Sequence, residues 1–181
     1  MSVFSNRADG AAEGAEAYIE AVLGLLGDED PISVLSGTPS FCRDRIDGVA
    51  SDRLRRPEAE GKWSAVALLE HLADSELVWG YRLRSVLAEE RPEIRGFDQD
   101  VWASRLAYFD ADPQRSLTTF DALRTANLAL LESLDNADLQ REGVHAERGG
   151  ETVAHMIRLY AGHDLAHRAQ LDRILNAASD A

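Results

Sequence analysis

Lysine is almost absent from this chain: of 19 basic residues, all but Lys62 are arginine. Arginine stays charged, serves poorly as a base and forms no Schiff base readily, so amine chemistry would rest on one residue and is set aside. Cysteine is as scarce. Cys42 alone makes no intramolecular disulfide and no cysteine-rich metal site. That suits a reducing compartment, and a cytoplasmic protein is expected. Long apolar runs are missing too: Ala21 to Leu26 is far too short to span a bilayer. Met1 to Gly10 carries Asn6, Arg7 and Asp9 in place of an apolar leader core. Alternating runs of β-branched and aromatic residues are lacking, so strands are not expected. Basic charge as a whole is outweighed, 19 against 32 acidic residues, for a net −13. Such a surface repels phosphate backbones and anionic headgroups, which argues against nucleic acid and membrane and leaves a small molecule as the expected partner.

The 181 residues, 45% of them hydrophobic, suffice for one domain with a proper core, and a single domain over 1–181 is expected, ordered from about 12 to 177. Helical periodicity predicts four long helices. The first covers Ala12 to Leu26 and stops at Gly27. Short helical pieces follow, with Asp30-Pro31 and Thr38-Pro39 each placing a capping oxygen before a proline at the first helical position. The second runs from Ser64 to about Glu89, a short helix is expected near Asp98 to Leu106, and the third runs from Asp112-Pro113 to about Leu134. A polar, glycine-tipped loop then leads to the fourth, Glu151 to Ala177. The fold class is therefore all-α: an antiparallel four-helix bundle with short extra helices.

The fourth helix carries the chemistry. Val153, Met156, Tyr160, His163, His167, Leu171 and Ile174 follow steps of three and four and share one face. Two histidines thus interrupt an apolar stripe and can point at one spot from adjacent turns. Burying each ring unpartnered costs about 1–3 kcal/mol, and a shared divalent metal ion removes that cost. Hydrogen-bonded core histidines are the competing reading. His71, flanking the stripe of the second helix beside Leu68 and Leu72, can join them if the two helices pack side by side. Three imidazoles with an open position describe a catalytic type of zinc site. His155, rotated off the seam, and His145, in the polar loop, are expected at the solvent or a cavity rim.

Two other metal patterns fit poorly. In His163-Asp164-Leu165-Ala166-His167, aspartate stands where a zinc protease carries its glutamate base. A di-iron bundle needs Glu-x-x-His pairs, yet Glu70 directly precedes His71 and Glu151 lies four before His155.

The order Trp63-Ser64, Glu70-His71-Leu72-Ala73-Asp74-Ser75-Glu76, Arg82, Gly150-Glu151-Thr152, then His163 through Gln170, resembles the DinB/YfiT-like superfamily over about residues 12–177. The resemblance implies a four-helix bundle, often a homodimer, with a metal, commonly zinc or nickel, on three histidines. His71 matches the first ligand, His163 and His167 the second and third. Family activities include thiol-dependent transferases such as bacillithiol transferase and the mycothiol-dependent maleylpyruvate isomerase, so a low-molecular-weight thiol is a candidate cosubstrate.

A cation on three neutral imidazoles keeps its double charge and activates a water or a thiol at neutral pH. Asp74 and Asp164 are candidates to orient the imidazoles, with surface acids as the plainer reading, and Arg82 and Tyr160 are candidates to line the pocket. Two functions stay open: a metal-dependent thiol transferase or hydrolase, or a non-catalytic metal-binding bundle with a structural or sensing role.

Overall fold

The computed structural model describes residues 11–177. Helix α1 spans Ala11–Leu26, α2 Pro31–Ile46, α3 Ser51–Leu54 and α4 Ala65–Ala88. Strand β1 (Glu93–Ile94), α5 (Gln99–Arg105) and a 3-10 turn at Tyr108–Asp110 lead to α6, Pro113–Glu132. Then come α7 (Asn136–Leu139), β2 (Glu142–His145), β3 (Gly149–Thr152) and α8, Val153–Ala177. The bundle is made by α2, α4, α6 and α8: α4 packs on α6 and α8, and α2 packs on the same two from the other side. Helix α1 lies outside that ring, against α8. No helix of the described residues is long and apolar enough to cross a membrane.

Four helices start where sequence chemistry places them. Asp30, Ser64, Asp98 and Asp112 each accept a backbone N–H from the first turn of the following helix. Pro31 and Pro113 occupy first-turn positions whose missing N–H is no loss.

Two expectations are corrected. The pieces expected after Gly27 are one 16-residue helix, α2, which runs straight through Pro39. Thr38 is no cap; its hydroxyl donates to the Val34 carbonyl at 2.9 Å. Pro39 cannot donate to Leu35 O, and the Arg124 guanidinium donates to that carbonyl in its place. The loop before α8 holds strands: β2 pairs antiparallel with β3 and parallel with β1, so that α8 begins at Val153, two residues later than expected.

Arg124 sits at the centre of the bundle, 1% exposed. From α6 it reaches Leu35 on α2, Glu76 on α4 at 2.9 Å, and Asp164 on α8 at 2.7 and 3.2 Å. Asn127 donates to the second Glu76 oxygen at 2.8 Å. Apolar side chains fill both ends around this network. Val22, Leu26, Leu35, Trp79 and Met156 cluster on one side; Leu68, Leu72, Phe120 and Leu171 cluster on the other.

Candidate metal centre

Helices α4 and α8 pack together and bring His71 to the two histidines of α8. One nitrogen of each ring lies within 4.8 Å of the others. His167 Nε2 stands 3.0 Å from His163 Nε2, which stands 3.4 Å from His71 Nε2. Ring centroids are 4.3 to 5.5 Å apart, and the planes are tilted by 49 to 75°. His71 and His167 are buried, and His163 is the most open of the three. The rings meet as the i, i+4 spacing on the apolar stripe predicts.

Second contacts fix the rings. His167 Nδ1 donates to Gln170 Oε1 at 2.8 Å, which leaves the Nε2 lone pair facing the cluster. Ser75, one turn after His71, lies 3.3 Å from its Nε2. The Trp63 ring packs 4.8 Å from His71 and is held edge-on by Tyr108. The Nδ1 atoms of His71 and His163 are buried without a hydrogen-bond partner.

The donor set suits a divalent cation. Burial pushes the pKa of all three histidines down, and well below the ordinary value for His71 and His163, where neighbouring imidazoles also disfavour a positive charge. At neutral pH the rings are uncharged and their lone pairs are free to coordinate. Hydrogen bonding alone serves the cluster badly: His163 Nε2 carries at most one hydrogen, too few for a full bond to each neighbouring Nε2.

The four pocket candidates fall in different places. Arg82 lines a cavity of about 60 Å³ together with His71 and His163. Asp74 accepts the Tyr108 hydroxyl and supports Trp63 through it. Asp164 is fully buried, and its hydrogen bonds come from Arg124, so it is no surface acid. Tyr160 stacks on Trp79 at 4.9 Å and is not among the cavity's lining residues. His145, expected in a loop at the solvent or a rim, is only 1% exposed and lies on β2. It too lines the cavity, as does Arg148. His155 is half-buried at the start of α8.

Sequence reasoning passed over several of these residues although signals existed. Gln170 is three residues after His167, and Ser75 four after His71, both on the ligand face of their helices. Arg124 and Asn127 interrupt the apolar seam Leu117, Phe120, Leu131 of α6, as the histidines do in α8.

A family model described as the DinB superfamily matches residues 38–171. A Geobacillus kaustophilus protein bearing the name "Putative metal-dependent hydrolase" is 30% identical over 141 residues, covering 77% of this chain and 79% of its own. The Bacillus subtilis protein YfiT, named in the same way, is 29% identical over 146 residues, 78% of this chain and 82% of its own. A solved structure of Bacillus subtilis YfiT, described as having an unusual four-helix bundle topology, superposes with a TM-score of 0.75 at 28% identity. It covers 80% of this chain and 83% of that one.

Proposed function

The chain belongs to the DinB superfamily, and from that premise we propose that it is a metal-dependent hydrolase acting on a small electrophile, with His71, His163 and His167 as the ligands of one zinc or nickel ion. The observation that carries the reading is the convergence of three neutral Nε2 atoms from two helices. Held by these three rings, a divalent cation would supply Lewis acidity, making water more acidic and polarising an electrophile's oxygen.

The chain's own residues supply orientation and a shielded site. Gln170 fixes the tautomer of His167. Trp63 and Tyr108 hold the His71 ring and keep water from its outer side. His71 and His163 face the small cavity, so a substrate reaches the centre from that side. Water is favoured over a thiol because the relatives carry hydrolase names; thiol transfer is the alternative reaction at the same centre.

Metal analysis of the purified protein tests the reading. The expected result is one divalent ion per chain, lost in His163→Ala, with ester or amide hydrolysis by the wild type lost on chelation and restored by added zinc or nickel. Equal metal content in the wild type and the variant refutes it. The homodimer that the family resemblance implies is checked by light scattering, where a strict 19.9 kDa species would count against it.

A further inference from the structure

Beside the histidines lies a cavity lined by a buried hydrogen-bond donor that the protein leaves unmet, His145 Nε2. Its lining includes Arg82, His145, Arg148 and Tyr18, and no carboxylate among the described residues. In a chain of net charge −13 this is a local reversal of sign.

The two arginines of this cavity are held differently. Arg148 is paired, donating from Nη2 to Glu151 Oε2 at 3.0 Å, and both side chains are buried. Arg82 is 7% exposed and makes no direct ion pair among the described residues; Glu151 and Glu147 act on it only at longer range. Its guanidinium donates to the Arg95 carbonyl and lies 5.7 and 5.9 Å from the Trp79 and Phe97 ring centres. Buried charges are normally paired, and a guanidinium presents five N–H donors in a fork suited to a carboxylate. The direct contacts of Arg82 are a carbonyl and two aromatic faces, and none of them is a carboxylate.

His145 brings the unmet donor. The Glu147 backbone N–H donates to His145 Nδ1 at 3.2 Å, which places the ring proton on Nε2. That Nε2 is buried with no partner. Burial also holds the ring neutral, pushing its pKa down to about 4. A neutral, unmet N–H donor and a guanidinium without a direct ion pair thus border the same space as His71 and His163.

We propose that this cavity is a carboxylate subsite, in which Arg82 and His145 Nε2–H hold an acid group of the substrate next to the histidine cluster. The cavity of about 60 Å³ has room for a few water-sized groups and so for a carboxylate. Arg82, Gly96 and Phe97 also line a wider groove of about 810 Å³, walled by Leu77, Tyr81 and Trp102. The substrate is therefore a carboxylic acid with an apolar body, its acid end inward and its body along the groove. This names the substrate class of the proposed hydrolase and rests on that reading only for the reaction, not for the binding.

Benzoate, with benzamide as its neutral counterpart, tests the subsite by calorimetry and by tryptophan fluorescence, since Trp79 adjoins Arg82. Binding is measured on the protein as purified and again after chelation, so that direct ligation of benzoate to a metal is separated from binding at Arg82. Benzoate is expected to bind at millimolar concentration or below in both states, with benzamide binding at least about tenfold more weakly, or 1.4 kcal/mol. Arg82→Gln should weaken benzoate by at least about tenfold without changing metal content, and Arg82→Lys should recover part of the loss. Inorganic sulfate should compete in the wild type, a readout that needs no variant to fold. Equal binding of benzamide, undiminished binding by a folded Arg82→Gln, disappearance of binding on chelation, or no binding to the wild type overturns the proposal. Benzoate binding in a protein that is metal-free as purified and takes up no added zinc or nickel would uphold the subsite while the metal reading falls.

Discussion

Arg124 supplies the hydrogen bond that Pro39 removes from α2. The proline lies inside that helix and has no N–H for the Leu35 carbonyl, and the guanidinium donates to it from α6. The same group binds Glu76 and Asp164, so one side chain ties all four bundle helices behind the histidine cluster. Asp164 directly follows His163, and Glu76 lies on α4 with His71. The network therefore holds both histidine-bearing helices to a common post.

Replacing Arg124 by methionine keeps the volume but strands two buried carboxylates and one buried carbonyl. Removing one partner of a buried pair costs about 3–5 kcal/mol, and urea unfolding should show a loss of that size. Arg124→Lys should rescue little of it, because a single ammonium cannot span the three partners. Near wild-type stability of either variant would contradict the role given to this residue.

Two acids share this one cation, and burial pushes the Glu76 carboxyl up to about 7 from 4.5, against the pull of Arg124. A carboxyl raised in the folded state takes up a proton on folding. Its favourable contribution is complete below the unfolded value and is lost as pH climbs through the folded one. His145, with its lowered pKa, works in the opposite sense and weakens the fold as pH falls below the ordinary histidine range. The comparison with Glu76→Gln separates the two. Between about pH 5 and pH 8 the wild type should lose more unfolding free energy than the variant, by up to a few kcal/mol. Parallel pH profiles would show that Glu76 does not take up this proton.

The three histidines were legible because their spacing put polar rings on an apolar stripe, a local pattern that helical geometry turns into position. Helix α2 was not. A proline in a helix interior normally ends it, and what makes Pro39 tolerable is a donor 85 positions away on another helix. The small sheet was hidden for a related reason. Its strands are two to four residues long, with Gly149 and Gly150 opening β3, and they exist through pairing with one another. With the sheet went the burial of His145, and with that the second donor of the cavity.

Gly162, the residue before His163, marks where α1 meets α8 backbone to backbone. A Cβ there would stand 2.1 Å from the Val22 carbonyl oxygen, with no flexible side-chain end to yield. Gly162→Ala should therefore push α1 off α8 and destabilise the protein by about 1–3 kcal/mol or more, outweighing the gain in helix propensity. Hydrogen exchange should report the loss first in α1. Wild-type protection of α1 in the alanine variant would contradict this close approach.

Gln170 offers the sharpest test of how the cluster is tuned, since it touches His167 without being a candidate ligand. Gln170→Leu keeps most of the volume and removes the acceptor that holds the His167 proton on Nδ1. The ring is then free to carry its proton on Nε2, where it blocks the lone pair. Loss of such an orienting partner weakens metal affinity by about 10–100-fold. Competition against a chromogenic chelator should give that loss with helix content unchanged, and Gln170→Glu, which keeps an acceptor, should bind metal at least as tightly as the wild type. If leucine and glutamate behaved alike, the orienting role would fall while the three-histidine centre itself could stand, because His163→Ala tests that centre independently.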